Sequence, residues 1–322
     1  MDKNQRGLII NNKVSIILLN WNGEEDTIEC LESLKSVNYP KFDVYLVDNG
    51  SKKRSVDIIM NYLLTDNYYS TKIVTNKELN DFNKTNDINL VFILNETNSG
   101  FAGGNNVALN YLSTHDVTDY ILLLNNDTIV STDFLSALVE TYDENEDTGF
   151  VGINHYYYHN KDKLQTVGGG MLDLVHGEAS AITDINQKEG FDFLTGSCIF
   201  MSKKVLQEVG VLNEDYFMYW EDVDWSTRVR NKGYQLRVAD GGCIYHKEGA
   251  SIKSLSRIYY HTRNRILYMK RYTKGSAYYK FIVYIILYVL KESFSNIFKD
   301  KEYSKVMFKG LKDGLLKEDG TV

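Results

Sequence analysis

The sequence predicts an α/β protein built on a mostly parallel central sheet flanked by helices, with a helical appendage at its C-terminus. Five short apolar runs rich in β-branched residues, Val14 to Leu19, Val44 to Val47, Leu90 to Leu94, Tyr120 to Leu124 and Phe150 to Ile153, alternate with helical patterns. That alternation marks parallel strands joined by crossover helices. The clearest runs end in polar residues suited to a strand-to-helix turn: Asn20-Trp21-Asn22-Gly23, Asp48-Asn49-Gly50-Ser51, Asn95 onwards and Asn125-Asn126-Asp127. A chain of 322 residues, 43% hydrophobic and 25% charged, is long enough to bury one large core and carry an appendage.

Between the first two runs, Ile28, Leu31 and Leu34 recur at helical spacing behind Glu24-Glu25-Asp26, an amphipathic helix whose acidic start suits its dipole. The second half reads as mixed. It holds the Gly-rich stretch Gly168 to Gly170, strands near Ile199 to Met201, Gln235 to Val238 and Cys243 to Tyr245, and helices from Lys204 and over Asp222 to Asn231. Two or three helices then close the chain. A soft boundary near residue 250 divides a main domain, 1–250, with halves 13–130 and 150–250, from a C-terminal segment, 251–322. One proline, no low-complexity segment and no internal repeat argue against independent modules.

Charge is unevenly spread. From Lys247 onward there are 16 Lys and Arg against 7 Asp and Glu, and before it 20 against 36, so a +9 tail follows a −16 body. The acidic body argues against nucleic acid as a partner and favours anionic lipid or a phosphorylated acceptor for the basic tail. Cys30, Cys198 and Cys243 are far apart and lack C-x-x-C spacing, as expected of small core residues in a reducing compartment. The N-terminus lacks a charged-then-apolar leader pattern, so the expected location is cytoplasmic.

Four constellations carry chemistry. Asp127, directly after the buried run ending at Leu124, places a carboxylate at a strand end, where a hard divalent cation takes oxygen ligands and leaves positions for phosphate. An Asx turn would use the same residues. Trp220-Glu221-Asp222-Val223-Asp224-Trp225 sets three carboxylates and two indoles at a helix opening, an acidic and aromatic cleft of the kind a sugar ring and a catalytic base require, although helix capping and core packing also explain such residues. The glycines of Asn98-Ser99-Gly100-Phe101-Ala102-Gly103-Gly104-Asn105-Asn106 lead into a helix from about Val107, where backbone approaches a ligand and the helix start favours phosphate. Their spacing fits neither the dinucleotide nor the P-loop pattern. His246, ending its strand, is either structural or a further metal ligand.

These motifs, in this order, resemble the inverting glycosyltransferases of family 2, in their bacterial rhamnosyltransferase-like branch. The resemblance runs from Lys13 to Arg271, about four-fifths of the chain, through VSIILLNWNG, LVDNGS, NETNSGFAGGNN, ILLLNNDT, FLTGSCIFMSK, YWEDVDW and YYHTRNR. It implies the GT-A, nucleotide-diphospho-sugar transferase fold and transfer of a sugar, such as rhamnose or another hexose, from a dTDP- or UDP-sugar to a hydroxyl of a cell-surface polysaccharide or lipid-linked saccharide. Asp222 is then the catalytic base. Asp48 binds the pyrimidine, and Asn20, Asn22, Asn98, Gly100, Gly103, Asn105 and Asn126 line the nucleoside and sugar, with Arg263 facing the diphosphate. Asp127 is the last aspartate of the family's D-x-D motif, whose first position here is Asn125, and holds Mg²⁺ or Mn²⁺ with His246. Thr195, Gly196, Ser197, Trp220, Glu221 and Trp225 shape the acceptor pocket.

Sequence features also bear on two other classes. A sugar-phosphate nucleotidyltransferase should carry a basic Gly-rich loop after its first strand, and Asn20-Trp21-Asn22-Gly23-Glu24 has no Lys or Arg. A non-catalytic carbohydrate-binding protein has no need of Asp127 and Asp222 together. In the tail, Phe281 to Leu290 is ten consecutive apolar residues between Lys280 and Lys291, about half a membrane span. Two readings stand: a helix at the inner face of the plasma membrane, beside a lipid-linked acceptor, or one buried in the protein or a homodimer interface.

Overall fold

The computed structural model describes residues 12–247, 255–296 and 300–317; the boundary expected near residue 250 lies outside them. The elements run β1 (Val14–Asn20), α1 (Glu24–Leu34), β2 (Phe42–Asp48), α2 (Lys53–Thr65), β3 (Thr71–Thr75), α3 (Asn76–Leu79), β4 (Leu90–Leu94), α4 (Gly100–Thr114), β5 (Tyr120–Asn125), β6 (Thr128–Val130), α5 (Phe134–Asp143) and β7 (Thr148–Gly152). Then follow β8 (His155–Tyr157), β9 (Asn160–Thr166), β10 (Gly169–Asp173), β11 (Glu178–Ala181), β12 (Phe193–Leu194), β13 (Cys198–Ser202), α6 (Lys203–Val209), a 3₁₀ turn (Glu214–Tyr216), α7 (Glu221–Asn231), β14 (Gln235–Val238), β15 (Ile244–His246), α8 (Leu255–Tyr272), α9 (Gly275–Asn296) and α10 (Lys301–Leu316).

Eight strands form one sheet in the order β14-β7-β13-β5-β1-β2-β4-β3. The five around β1 run parallel, from β5 to β3. β13 runs antiparallel to both β5 and β7, so the last expected strand, now β7, is separated from the first four. The extra edge strand β3 is half-exposed, with Val74 alone buried among its five residues; so weak an apolar signal leaves no alternation to read. Residues Val14, Ile16 and Leu18 pack on one face and Ile17 on the other, because successive strand side chains alternate. Helices cover both faces, as a parallel sheet requires.

The helix expected from Val107 begins at Gly100. A Cβ at Gly103 would lie 2.7 Å from the Ser99 Cβ, and one at Gly104 would lie 2.6 Å from Leu19 Cδ1. Close packing therefore selects glycine inside the helix and overrides its poor propensity.

β13 enters the sheet with Cys198 opposite Leu124, which sets Thr195, Gly196 and Ser197 beside the carboxyl end of β5. β15 pairs with β6 so that His246 faces Thr128. A third apolar cluster joins Tyr216, Trp220 and Val223 to Ile266, Tyr268 and Met269 of α8, Phe281 and Ile285 of α9 and Met307 of α10. The C-terminal helices are thus packed onto the segment that begins α7.

Candidate active site

The strand ends gather Asp127 and His246. The Lys247 N–H donates to the Asp127 carbonyl at 2.9 Å, fixing β15 against the turn after β5. His246 Nδ1 meets Gln165 Oε1 at 3.1 Å. An amide oxygen only accepts, so Nδ1 donates in this contact and Nε2 is the ring nitrogen that faces Asp127. That Nε2 stands 3.4 Å from Asp127 Oδ1, which is buried and has no hydrogen-bond partner among the described residues. The two atoms make an Asp–His contact in this structure, and they are the donors a cation placed here would use. The donor set, one carboxylate and one imidazole, suits Mg²⁺ or Mn²⁺ that takes its remaining ligands from phosphate and water. No group of three or more His, Cys, Asp or Glu able to hold a metal occurs among the described residues.

The second carboxylate cluster opens α7. The Gly196 N–H donates to Asp222 Oδ2 at 2.9 Å and the Val223 N–H to Oδ1 at 2.9 Å. Burial raises the Asp222 carboxyl above the usual range, while these N–H groups pull it down. Glu221 is 5% exposed, and its Oε2 has no partner among the described residues. Burial, then the neighbouring Asp222 charge, pushes its carboxyl well above the ordinary glutamate value. The third acid, Asp224, does not join them: 200° round the helix from Asp222, it is fully buried and ion-paired to Arg228 and Arg271. Trp225 is likewise core, edge-on to Phe150 with its indole N–H on the Gly210 carbonyl. Of the two indoles only Trp220 reaches the cavity.

The turn delivering these acids is strained. Phe217, Tyr219 and Trp220 all have positive φ, at 63°, 65° and 77°, a conformation that costs a non-glycine residue about 1–3 kcal/mol. Asn264, fully buried on α8, donates its side-chain amide to the carbonyls of Tyr216, Met218 and Tyr219 at 2.7–2.8 Å. Arg263 adds bonds to the carbonyls of Asp215 and Tyr216 and lies against Tyr260. The guanidinium expected at the diphosphate is thereby engaged in holding this turn.

The residues expected to line the nucleoside form a separate hydrogen-bonded chain across the ends of β1 and β2. Asn126 donates to Thr27 Oγ1, Thr27 to Asn20 Oδ1, and Asn20 Nδ2 to Asp48 Oδ1 at 2.8 Å. Asp48 Oδ2 accepts from the Ser51 N–H, and Asn22 Oδ1 accepts from the Lys52 N–H. Asn49 donates to Asn98 Oδ1 and to the Gly100 carbonyl. Gly100 sits at φ +77°, where a Cβ would lie 2.4 Å from the Phe217 carbonyl oxygen. Asn105 bonds the Phe101 carbonyl within its own helix.

One cavity of about 980 Å³ is lined by Asp127, His246, Glu221, Asp222, Trp220, Thr195, Gly196 and Ser197 together. Asp127 and Asp222, about a hundred residues apart in sequence, therefore share a wall-to-wall space. Asn20, Asn22, Asp48, Asn98 and Arg263 lie outside that lining. The cavity also takes His155, Gln165, Arg257, His261 and Arg265, which sequence reasoning missed. His155, buried against Ser197, is held down to about 3 by burial and is neutral. Burial and the flanking Arg257 and Arg265 hold His261 down to about 4. A period of four along α8 from Arg257 was the available signal.

Beyond the fold, the family of the chain shows a glycosyltransferase that uses nucleotide-sugar donors. The chain belongs to glycosyl transferase family 2, whose model matches residues 15–210. It is 23% identical over 267 residues to the low-salt glycan biosynthesis hexosyltransferase Agl10 of Haloferax volcanii, covering 79% of this chain and 74% of that one. It is 22% identical over 228 residues to the poly-β-1,6-N-acetyl-D-glucosamine synthase of Staphylococcus epidermidis, with 70% of this chain and 47% of the synthase covered. Among solved structures, the mannosyltransferase PcManGT of Pyrobaculum calidifontis, in complex with GDP-Man and Mn²⁺, has a TM-score of 0.58 at 12% identity, covering 95% of this chain and 88% of its own. TarS residues 1–349 of S. aureus score 0.54 at 17% identity, covering 94% and 80%. These likenesses show the GT-A fold.

Proposed function

We propose that this chain transfers a sugar, rhamnose or another hexose, from a dTDP- or UDP-sugar to a hydroxyl of a growing cell-surface polysaccharide or lipid-linked saccharide, with inversion, as in the rhamnosyltransferase-like branch. The observation that carries the reading is the single cavity shared by the Asp127–His246 pair and the Glu221–Asp222 pair. The Mn²⁺ present with GDP-Man in the PcManGT structure supports a divalent cation. Asp127 and His246 would hold Mg²⁺ or Mn²⁺, which supplies positive charge against the diphosphate.

Asp222 is the base. Its carboxylate takes the acceptor hydroxyl proton as that oxygen bonds to the anomeric carbon and the bond from that carbon to the diphosphate oxygen breaks. One displacement from the face opposite the leaving group inverts the centre. The Gly196 and Val223 N–H groups aim the carboxylate and keep it ionised. Thr195, Ser197 and Trp220 bound the acceptor side, while Asp48, Asn20, Asn22, Asn126 and the Asn98 to Asn105 segment order the donor side. The enzyme works in the cytoplasm at the inner face of the membrane.

The test is a panel of dTDP- and UDP-sugars with Mg²⁺ or Mn²⁺ and free or lipid-linked saccharides, scoring nucleoside diphosphate release. Release that requires the acceptor and disappears in Asp222→Asn supports the reading. Donor binding with no transfer to any acceptor overturns it.

A further inference from the structure

The appendage carries a second feature that the transfer reaction leaves unused. α9 is apolar on nearly its whole circumference. Phe281, Ile285 and Val289 are buried against the body. On the far side Tyr279, Val283, Leu287 and Phe294 are between 59% and 75% exposed, and Leu290 is exposed with them. At 100° per residue these five, with Ile286, fall within one arc of about 100°. Lys280 and Lys291, both exposed, run along one edge of that arc.

A second element adds to this surface. The turn joining β10 to β11 presents Leu174 and Val175 to solvent. It is anchored on α9: the His176 ring meets Tyr284 edge-on at 4.6 Å, Gly177 abuts Phe281, and the Tyr284 hydroxyl donates to Glu178 at 3.2 Å. The same two elements wall the catalytic cavity, through Gly177 to Ala181 and through Tyr288. Tyr288 lies about 150° round α9 from the middle of the stripe, so the stripe is the outward face of a helix whose inward face meets the cavity, and an exposed apolar patch of this kind marks a binding surface.

We infer that the α9 stripe and the Leu174–Val175 turn dock the protein on an anionic lipid surface. Charge decides the occupant. The stripe is edged by lysines within a tail of net charge +9 on a body of −16, which favours anionic headgroups and turns the acidic body away from them. A second copy packed antiparallel through the same stripe would set Lys280 of one chain beside Lys291 of the other. No helix among the described residues is long and apolar enough to cross a membrane, so α9 lies along the surface with its outer face among the acyl chains. This deepens the proposed function and rests on it only for the lipid-linked acceptor; docking itself needs no turnover.

The experiment is flotation of the full chain with phosphatidylcholine vesicles, with and without phosphatidylglycerol, in the absence of substrates. Wild type is expected to float with the anionic vesicles, and Val283→Glu/Leu287→Glu/Phe294→Glu to partition into them roughly a hundredfold less. Transfer to a water-soluble acceptor should be unchanged in the variant, which shows that it folds. Equal flotation of variant and wild type, or no flotation of wild type, overturns the inference, as does a wild-type dimer that the three substitutions dissociate. A chain that floats yet transfers no sugar would refute the activity and leave docking intact.

Discussion

Replacing Asn264 by alanine tests whether the turn before α7 is held in its strained form for the sake of Asp222. The native turn keeps Phe217, Tyr219 and Trp220 at positive φ, and the Asn264 amide bonds three of its carbonyls. At about 1 kcal/mol net per hydrogen bond, the clamp contributes roughly 2–3 kcal/mol. Three residues at about 1–3 kcal/mol each store more than that, roughly 3–9 kcal/mol, so the clamp is one of several restraints on the turn, and without it the turn relaxes and Asp222 leaves its place beside Gly196. With tenfold per 1.4 kcal/mol, the population of the competent form falls about 30- to 150-fold, and kcat with it. Donor affinity should hold, because Asp48, Asp127 and His246 sit on other elements. The assay is steady-state kinetics beside calorimetric titration of the nucleotide, with circular dichroism to confirm the fold. A kcat within twofold of wild type would refute the argument, as would an equal loss of kcat and donor affinity. Asn264→Asp, which removes the donor and sets a carboxylate against three carbonyls, should be at least as damaging.

Asp222→Asn should lower turnover by about 10²- to 10⁴-fold with donor binding nearly intact; parallel loss of both would contradict its role as base. In the wild type the acidic limb of kcat/KM should lie above the ordinary aspartate value of about 3.9, since burial raises the Asp222 carboxyl and only the ionised form accepts a proton; a limb at or below that value argues against Asp222. Glu221→Gln should stabilise the protein at neutral pH. A folded-state pKa raised above the unfolded value makes the wild type lose stability as pH climbs through and beyond about 4.3, so the melting-temperature gap should widen from acid to neutral pH, and a gap independent of pH would show that Glu221 is not the buried acid it is taken for. Asp127→Asn should weaken Mn²⁺-dependent nucleotide binding at least tenfold while leaving the metal-free fold unchanged, as read by calorimetry with and without Mn²⁺; unaltered metal dependence would remove Asp127 from the cation site.

Chain-local signals were legible in the sequence. The strands at Val14, Val44, Leu90 and Tyr120 could be placed because buried parallel strands write continuous apolar runs bounded by Asn, Asp and Gly. Asp127 and His246 could be singled out as candidates because each comes at the end of a strand, and Asp222 because it opens a helix, with Asp127 and Asp222 inside motifs that resemble the family. Roles that depend on direction could not be read. Within Trp220 to Trp225 the residue types are alike, yet Glu221 and Asp222 face the cavity while Asp224 and Trp225 are fully buried, a difference set by helix rotation and by what α6 and α8 bring alongside. Arg263 reads as a ligand for the diphosphate and Asn264 carried no reading, whereas hydrogen bonds to residues nearly fifty positions away make both the clamp of a strained turn. His155 and Gln165 gave no local signal, since their neighbours in the cavity come from distant strands and helices, and the period of four through Arg257, His261 and Arg265 does not say what that helix face meets. The sequence determined which chemical groups the protein possesses and where its strands begin. Tertiary structure alone decided which of those groups share one space, because pairing of β15 with β6 and packing of α8 on the start of α7 join residues that the chain keeps far apart.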